Sequence, residues 1–365
     1  MQPIHKIKIL LAFICACTTD QVFSQTVPDS IMARVYEEIK TPYKYGMVIA
    51  PQNADVKMDC PSVFRAHDRW YMTYLVFDGR GYETWLAQSD DLLHWKQKGK
   101  LLEFNSDTTV WDASQKAGYI ALQDPTWGGS YALQPYKGKY WMSYFGGNTS
   151  GYEAGLLSIG IAFTKKDPAT PHKWETLKEP VLRSADPDVR WWEDKKQFKS
   201  TVIWDKQKQT GHPFVMYYNA NGDTSHNRDK KTRWYERIGM AVSDDMVHWK
   251  RYLNDPVMHH PAGLTGDAVL QRMGNVWVMF YFGAFWEKKN YAFNRFACSY
   301  DLVHWTDWKG DDLIKPSEPF DAKYAHKSFV VKWKDVVYHF YCAVDKADHR
   351  GIAVATSVNK RSNNE

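Results

Sequence analysis

The chain reads as all-β: a five-bladed β-propeller with four antiparallel strands per blade. Three observations predict it. First, the turn Ser89-Asp90-Asp91-Leu92-Leu93-His94-Trp95 returns as Ser243-Asp244-Asp245-Met246-Val247-His248-Trp249 and as Ser299-Tyr300-Asp301-Leu302-Val303-His304-Trp305, with looser copies at 164–174 and 353–357. Recurrence of this kind marks an array of small supersecondary units. Second, a β-rich run precedes each turn, at 85–89, 238–243 and 295–299, so the local order is strand, turn, strand. Third, five strands rich in aromatic residues stand upstream, at 70–74, 140–144, 214–218, 277–281 and 337–341, and a further short apolar run such as 61–65 or 328–332 precedes each. Five four-stranded units, each too small to bury its own face, suit a radial arrangement.

Residues 26–365 are expected to form that one domain, because a repeat array spends its length on a single architecture. Residues 1–25 have the layout of a cleaved secretory signal: Lys6 and Lys8, an apolar run over 9–17 too short to span a bilayer, then small polar residues. The mature protein is thus expected in the periplasm or outside the cell with no transmembrane segment, and Cys17 offers the alternative of lipid anchoring. Cys60, Cys298 and Cys342 remain after processing and read as small buried hydrophobes, not as a disulfide framework, a thiol nucleophile or a zinc site. The net charge of +5 comes from scattered Lys and Arg, without a nucleic-acid-binding pattern, so nucleic acid is not an expected partner.

In chain order, 28–40 reads as a helix opened by the cap-like pair Asp29-Ser30, and 43–50 as a strand expected to pair with 351–357 and hold the ring shut. Blade one spans 59–104, blade two 127–182, blade three 199–258, blade four 267–314 and blade five 326–365. The connections 105–126 and 183–198 are long enough to suggest function. In each blade the innermost strand begins at one face of the disc, which it shares with the loop between the second and third strands. Residues far apart in sequence can therefore meet there.

On that face Asp59 opens blade one, Asp124-Pro125-Thr126-Trp127 leads into blade two, Lys199 opens blade three, Asp267 blade four, and His326-Lys327 blade five. A ring of charges about one axis is costly unless a ligand, a metal or mutual pairing compensates. Two Gly-Tyr-Glu triplets end at Glu83 and Glu153; Glu83 suits a turn partner of Arg80, whereas Glu153 follows the open Gly146-Gly147 bend. The chain carries 17 Trp and 22 Tyr, more than its core requires, and Trp111, Trp127, Trp191, Trp192, Trp234, Phe285 and Trp286 fall in loops. Sugars stack their C–H faces on such rings and need polar side chains for their hydroxyls. The run 186–192, with Arg190 and Trp191, supplies both. His94, His248 and His304 travel with the turns and read as structural; His260 lies on the connection into blade four.

These residues resemble the five-bladed propeller glycosidases: Ser-x-Asp-Leu-x-x-Trp turns, and inner strands opening with an acidic residue, as in Asp59-Cys60-Pro61 and Gly266-Asp267-Ala268. The resemblance spans 43–357 and takes in arabinanases and β-xylosidases of the glycoside hydrolase family 43 type, neoagarooligosaccharide hydrolases and mannoside phosphorylases. It implies an exo-acting, inverting hydrolase of oligosaccharides from plant or algal polysaccharides. In the arabinanase and xylosidase branch a blade-one Asp is the base, a blade-two Asp adjusts the pKa and a blade-three Glu is the acid. Asp59 matches the first position, Asp124 the second only approximately, and Lys199 stands where the acid belongs. Glu153, Asp267 and His326 are then the candidate proton donors.

Glycosidic cleavage needs one carboxyl group protonated to assist the leaving group and one ionised to activate water or to attack. The expected catalytic set is Asp59, Glu153 and Asp267, with Asp124, Trp127, Arg190, Trp191, Lys199, His260, His326 and Lys327 on substrate, and the cations suit an anionic sugar. No cofactor is required; an axial calcium beside His326 is the metal alternative, although no compact ligand motif is present. Two other readings stay open: a mannoside-type phosphorylase with Lys199, Arg190, Lys327 and His260 on phosphate, and a non-catalytic sugar-binding propeller.

Overall fold

The computed structural model describes residues 26–222 and 235–361. The expected signal segment, the lipidation site Cys17 and Trp234 lie outside the described residues. The chain opens with helix α1 (Asp29–Ile39), which buries Met32, Val35 and Ile39 against the strands. Its N-cap position is Pro28, with no side-chain cap, so the expected Asp29-Ser30 cap is not formed. A fixed φ and a missing N–H suit proline to a helix start.

After strand β1 (Tyr43–Ile49) the strands fall into groups. In the first sheet are β2 (Lys57–Ala66), β3 (Arg69–Phe77), β4 (Tyr82–Ser89) and β5 (Lys96–Leu102). The second is β6 (Gln115–Ile120), β7 (Tyr140–Gly147), β8 (Ser158–Thr164) and β9 (Glu175–Thr176). The third is β10 (Lys196–Trp204), β11 (Phe214–Asn221), β12 (Arg237–Ser243) and β13 (Trp249–Arg251). Then come β14 (Leu264–Met273), β15 (Val276–Ala284), β16 (Ala292–Ser299) and β17 (Thr306–Asp307), and last β18 (Tyr324–Trp333), β19 (Val336–Val344) and β20 (Arg350–Thr356). The last two groups join, with β1, into one eight-stranded sheet through the single parallel pair Ala292↔Tyr324. The fold is all-β and propeller-like. β1 pairs antiparallel with β20, from Tyr43↔Thr356 to Ile49↔Ile352, as expected of the chain ends. Each first strand also touches the preceding sheet: β6 against β4, β10 against β7, β14 against β10, β18 against β15, and β2 against β18.

The second sheet corrects the expected start of blade two. Its inner strand is β6, and Asp124 and Trp127 fall in the later loop to β7. The strand was hidden because Gly118 interrupts its apolar pattern. An added Cβ at Gly118 would meet Met142 Sδ at 2.4 Å and Leu102 Cδ1 at 2.8 Å, so those side chains would have to shift to admit it.

The repeated turn is a local hydrogen-bonded unit. Ser89 Oγ accepts from Leu92 N at 2.9 Å, Asp91 Oδ1 accepts from Leu93 N and His94 N at 2.9 and 2.8 Å, and His94 Nδ1 lies 2.7 Å from Asp91 Oδ2. The copies at Ser243/Asp245/His248 and Ser299/Asp301/His304 repeat every contact, so these histidines are structural. Burial opposes ionisation of Asp91, but the His94 ring and the turn amides outweigh it and hold its pKa at about 2. A depressed carboxylate stabilises the fold above its unfolded value of about 3.9 and loses that contribution as pH falls towards the folded value. Asp245→Ala, which removes one turn's acceptor, is expected to cost about 1 kcal/mol, by analogy with the loss of a helix N-cap. The check is a chemical-denaturation midpoint at neutral pH, with the difference from the parent shrinking below about pH 3.

Four inner strands carry a bulge near the start: between Asp59 and Ser62, Gln197 and Ser200, Gly266 and Val269, and His326 and Phe329. Cys60, Asp267 and Lys327 there adopt left-handed φ of 47°, 59° and 62°. Bulges re-aim side chains, and non-glycine residues held at positive φ concentrate at functional sites.

Candidate active site

Those bulges open onto one cavity of about 130 Å³. Cys60, Lys199, Asp267 and Lys327 reach it from the inner strands, and His326 stands beside Lys327. Glu153, Glu236 and Arg350 come from the loops or strand starts between second and third strands, while Asn219 lies near the end of β11. Tyr119, Phe145, Tyr152, Phe198, Phe282, Phe285 and Tyr324 supply aromatic wall.

One side of the site is a cation cluster on Asp59. Lys327 Nζ and Arg350 Nη1 each lie 2.9 Å from Asp59 Oδ2, which also accepts from Tyr82 OH at 3.2 Å, and Cys60 N donates to Oδ1 at 3.0 Å. Burial opposes the Asp59 charge, but Lys327 and Arg350 outweigh it and hold its pKa well below the carboxylate range. Asp59 is fully buried and is not part of the cavity wall. That corrects the expected geometry: its oxygens are occupied by fixed donors. Arg350 Nη1 also donates to Tyr152 OH at 2.8 Å, which ties the 150–155 bend to the cluster.

The other side is acidic. Glu236 Oε2 accepts from Asn219 Nδ2 at 3.4 Å; the same amide donates to Asp267 Oδ1 at 2.6 Å, and Asn219 Oδ1 accepts from Asp267 N at 2.7 Å. Burial, then the neighbouring Glu153 and Asp267 carboxylates, push Glu236 up to about 8. Burial also raises Glu153, with Lys327 opposing and Asp59 adding to the shift. Glu153 is held at φ 48°, and its carbonyl accepts from Lys196 Nζ at 2.7 Å. Burial, then the adjacent Lys327 ammonium, lower His326 to about 3. Its ring is therefore neutral at physiological pH and is a poor proton donor. Nδ1 lies 3.3 Å from the Cys342 carbonyl, which can only accept, so Nδ1 carries the proton.

The structure thus brings together Glu153, Asp267, Lys199, His326 and Lys327, with Asp59 directly beneath. It leaves out the others. Asp124 accepts from Thr126 N and Ser130 N, both at 3.1 Å, as a loop brace. Trp127 Nε1 donates to Glu38 of α1 at 2.8 Å, and its ring stacks on Phe280. Arg190 donates to the carbonyls of Leu253 and Asp188. Trp191 covers the Arg237 guanidinium at 5.0 Å and is not in the cavity wall. His260 stacks flat on Trp286 at 4.1 Å. Of the loop aromatics expected to stack on sugar, Phe285 lines the cavity; Trp111, Trp192 and Trp286 donate their indole N–H to the carbonyls of Lys178, Asn254 and Leu264 and fill seams of the fold. Glu83 pairs with Lys100, not with Arg80. The phosphate site that a phosphorylase reading needs does not assemble, since Arg190 and His260 lie off the cavity. A calcium beside His326 would meet Lys327 and Arg350, and among the described residues no three His, Cys, Asp or Glu side chains cluster to hold a metal ion.

Glu236, Asn219, Tyr152 and Arg350 were missed in sequence. A signal existed for Glu236: the dipeptide Tyr152-Glu153 recurs as Tyr235-Glu236, each between the second and third strands of its sheet, and as Tyr82-Glu83 at the start of β4.

No protein-family model and no curated protein matches this chain. Solved structures do. One named "Glycoside hydrolase" is 52% identical, with 91% of this chain and 96% of that one covered and a TM-score of 0.86. Another, named as a complex of BT0996 with RGII, is also 52% identical, with 92% and 96% covered and a TM-score of 0.87. A thermostable family-43 glycoside hydrolase shares the fold at 16% identity, 84% and 90% coverage and a TM-score of 0.58. Among the described residues no helix is long and apolar enough to cross a membrane. With half its residues identical over nearly the full length of such structures, the chain belongs to the glycoside hydrolases of the propeller type and is an enzyme of that class.

Proposed function

We propose that the protein is an exo-acting glycoside hydrolase in which Glu236 is the general acid and Glu153 the ionised partner. One observation carries this: two carboxyl groups line one cavity, and burial with neighbouring negative charge keeps Glu236 protonated near neutral pH. A carboxyl group kept protonated near neutral pH suits the general acid. Burial raises Glu153 as well, and Lys327, the largest opposing influence, favours its ionised form. Asp267, through Asn219, orients and electrostatically raises Glu236; Lys327 and Arg350, fixed by Asp59, face the sugar.

The sequence of events follows from these placements. The terminal sugar occupies the cavity, and the rest of the substrate extends from its mouth. Glu236 gives its proton to the glycosidic oxygen as the bond to the anomeric carbon breaks. Glu153 removes a proton from the attacking water, and inversion is the expected outcome. Exo action is what the resemblance to the propeller glycosidases implies. The first substrate to test is an RGII oligosaccharide, taken from the name of the 52%-identical complex. The same reading includes a closed wheel of five blades over 26–365 and export directed by 1–25.

The test is a panel of 4-nitrophenyl glycosides together with RGII oligosaccharides, and proton NMR of the first anomer released. Cleavage that follows phosphate concentration would favour phosphorolysis; release of the retained anomer would recast Glu153 as a nucleophile. The acid form of Glu236 is lost as pH rises through about 8, so kcat/KM is expected to fall above that pH, and to fall in acid as Glu153 is protonated. A rate still rising at pH 9.5 would contradict the assignment of Glu236.

A further inference from the structure

We propose that Lys199 is a specificity-determining residue whose ammonium donates a hydrogen bond to a hydroxyl of the terminal sugar. This rests on the hydrolase reading above. Lys199 lies within the bulge of β10, lines the cavity and is 3% exposed. Among the described residues its Nζ has no hydrogen-bond acceptor. The Asp267 Oδ2 oxygen is 3.9 Å away, beyond hydrogen-bonding distance, and the Tyr119 ring centroid is at 5.5 Å. Lys327 shows the contrast: its Nζ is satisfied by Asp59 at 2.9 Å.

A buried ammonium without an acceptor is destabilising, and a ligand oxygen would offset that cost. The neighbouring carboxylate says which oxygen. Asp267 Oδ1 is engaged by Asn219 Nδ2, while Oδ2 faces Lys199 and lies 3.6 Å from Cys60 Sγ. Lys199 and Asp267 therefore present a donor and an acceptor side by side. A hydroxyl can accept from the first and donate to the second. A sugar carboxylate could satisfy only Lys199 and would be repelled by Asp267, which turns the earlier expectation of an anionic group away from this corner of the site.

The experiment compares Lys199→Met and Lys199→Arg in the full-length protein, each also in a Glu236→Gln background, by calorimetric titration with an RGII oligosaccharide and by thermal melting. Methionine keeps the length and removes the charge. The expected result is an affinity lower by on the order of 100-fold for Lys199→Met, from the loss of a charge-assisted hydrogen bond, a loss out of proportion to any fall in Tm that comes from leaving Asp267 without its buried counter-charge. Unchanged affinity overturns the inference and leaves the catalytic assignment standing. A Tm lowered by several degrees in both variants, with affinity lost in proportion, makes Lys199 structural and overturns it as well. Binding by the wild type without cleavage would sink the hydrolase reading but still score Lys199, and no binding by the Glu236→Gln parent overturns both the inference and the substrate choice.

Discussion

Glu236→Gln is expected to lower kcat on an unactivated glycoside by about 10²–10⁴-fold, the range for loss of a positioned general acid, while substrate binding stays within a few-fold. Glutamine keeps the shape of a protonated glutamic acid, so the Asn219 contact survives as an amide pair. What it cannot do is release a proton to the departing oxygen. Loss of kcat with binding retained separates this from a binding role, since an interaction made only in the transition state lowers kcat and kcat/KM together. Pre-steady-state or single-turnover rates, with a titration of binding, make the comparison.

Asp59→Asn is expected to act mainly on stability. The change leaves Lys327 and Arg350 buried beside a neutral amide, and breaking a buried pair from one side costs about 3–5 kcal/mol. For a protein of this size that is a Tm drop on the order of 5–10 °C. The pH dependence has a definite sign. The folded-state pKa of Asp59 is depressed, so its contribution is present above about 3.9 and is lost as pH falls through the folded value. The variant should therefore melt well below the parent at neutral pH and converge with it in strong acid. A base role predicts a different pattern: an unchanged or raised Tm with collapsed activity. Calorimetric scans between pH 3 and 8 decide between them.

How much was legible in sequence follows from where each signal resides. The Ser-x-Asp turn is a local device, with every partner within three residues, so its recurrence announced strand order and the structural histidines alike. The bulged openings of the inner strands carry their own polar residues, and Asp267, Lys199 and Lys327 were found from those positions. The second sheet defeated the same approach, because Gly118 packs against Met142 and Leu102, neither of which is adjacent in sequence. Asp124 and Trp127 were then placed on the wrong side of the fold. Asp59 opens its strand as its position in the sequence indicates, but the donors on its carboxylate do not show there, since Arg350 lies 291 positions away. The loop tryptophans misled for a related reason: a large ring with one N–H donor fills a seam as readily as it stacks on sugar, and only the neighbouring carbonyl distinguishes the two.

In the proposed mechanism Glu236 delivers the proton to the leaving group from a cavity that it shares with Glu153. The most direct test of this step is the leaving-group dependence of Glu236→Gln on the best glycoside of the panel. With a 2,4-dinitrophenyl leaving group, which departs without protonation, the variant should run within about tenfold of wild type, against the 10²–10⁴-fold loss on the unactivated glycoside. An equal loss on both substrates would contradict the assignment and move the proton donor elsewhere in the cavity.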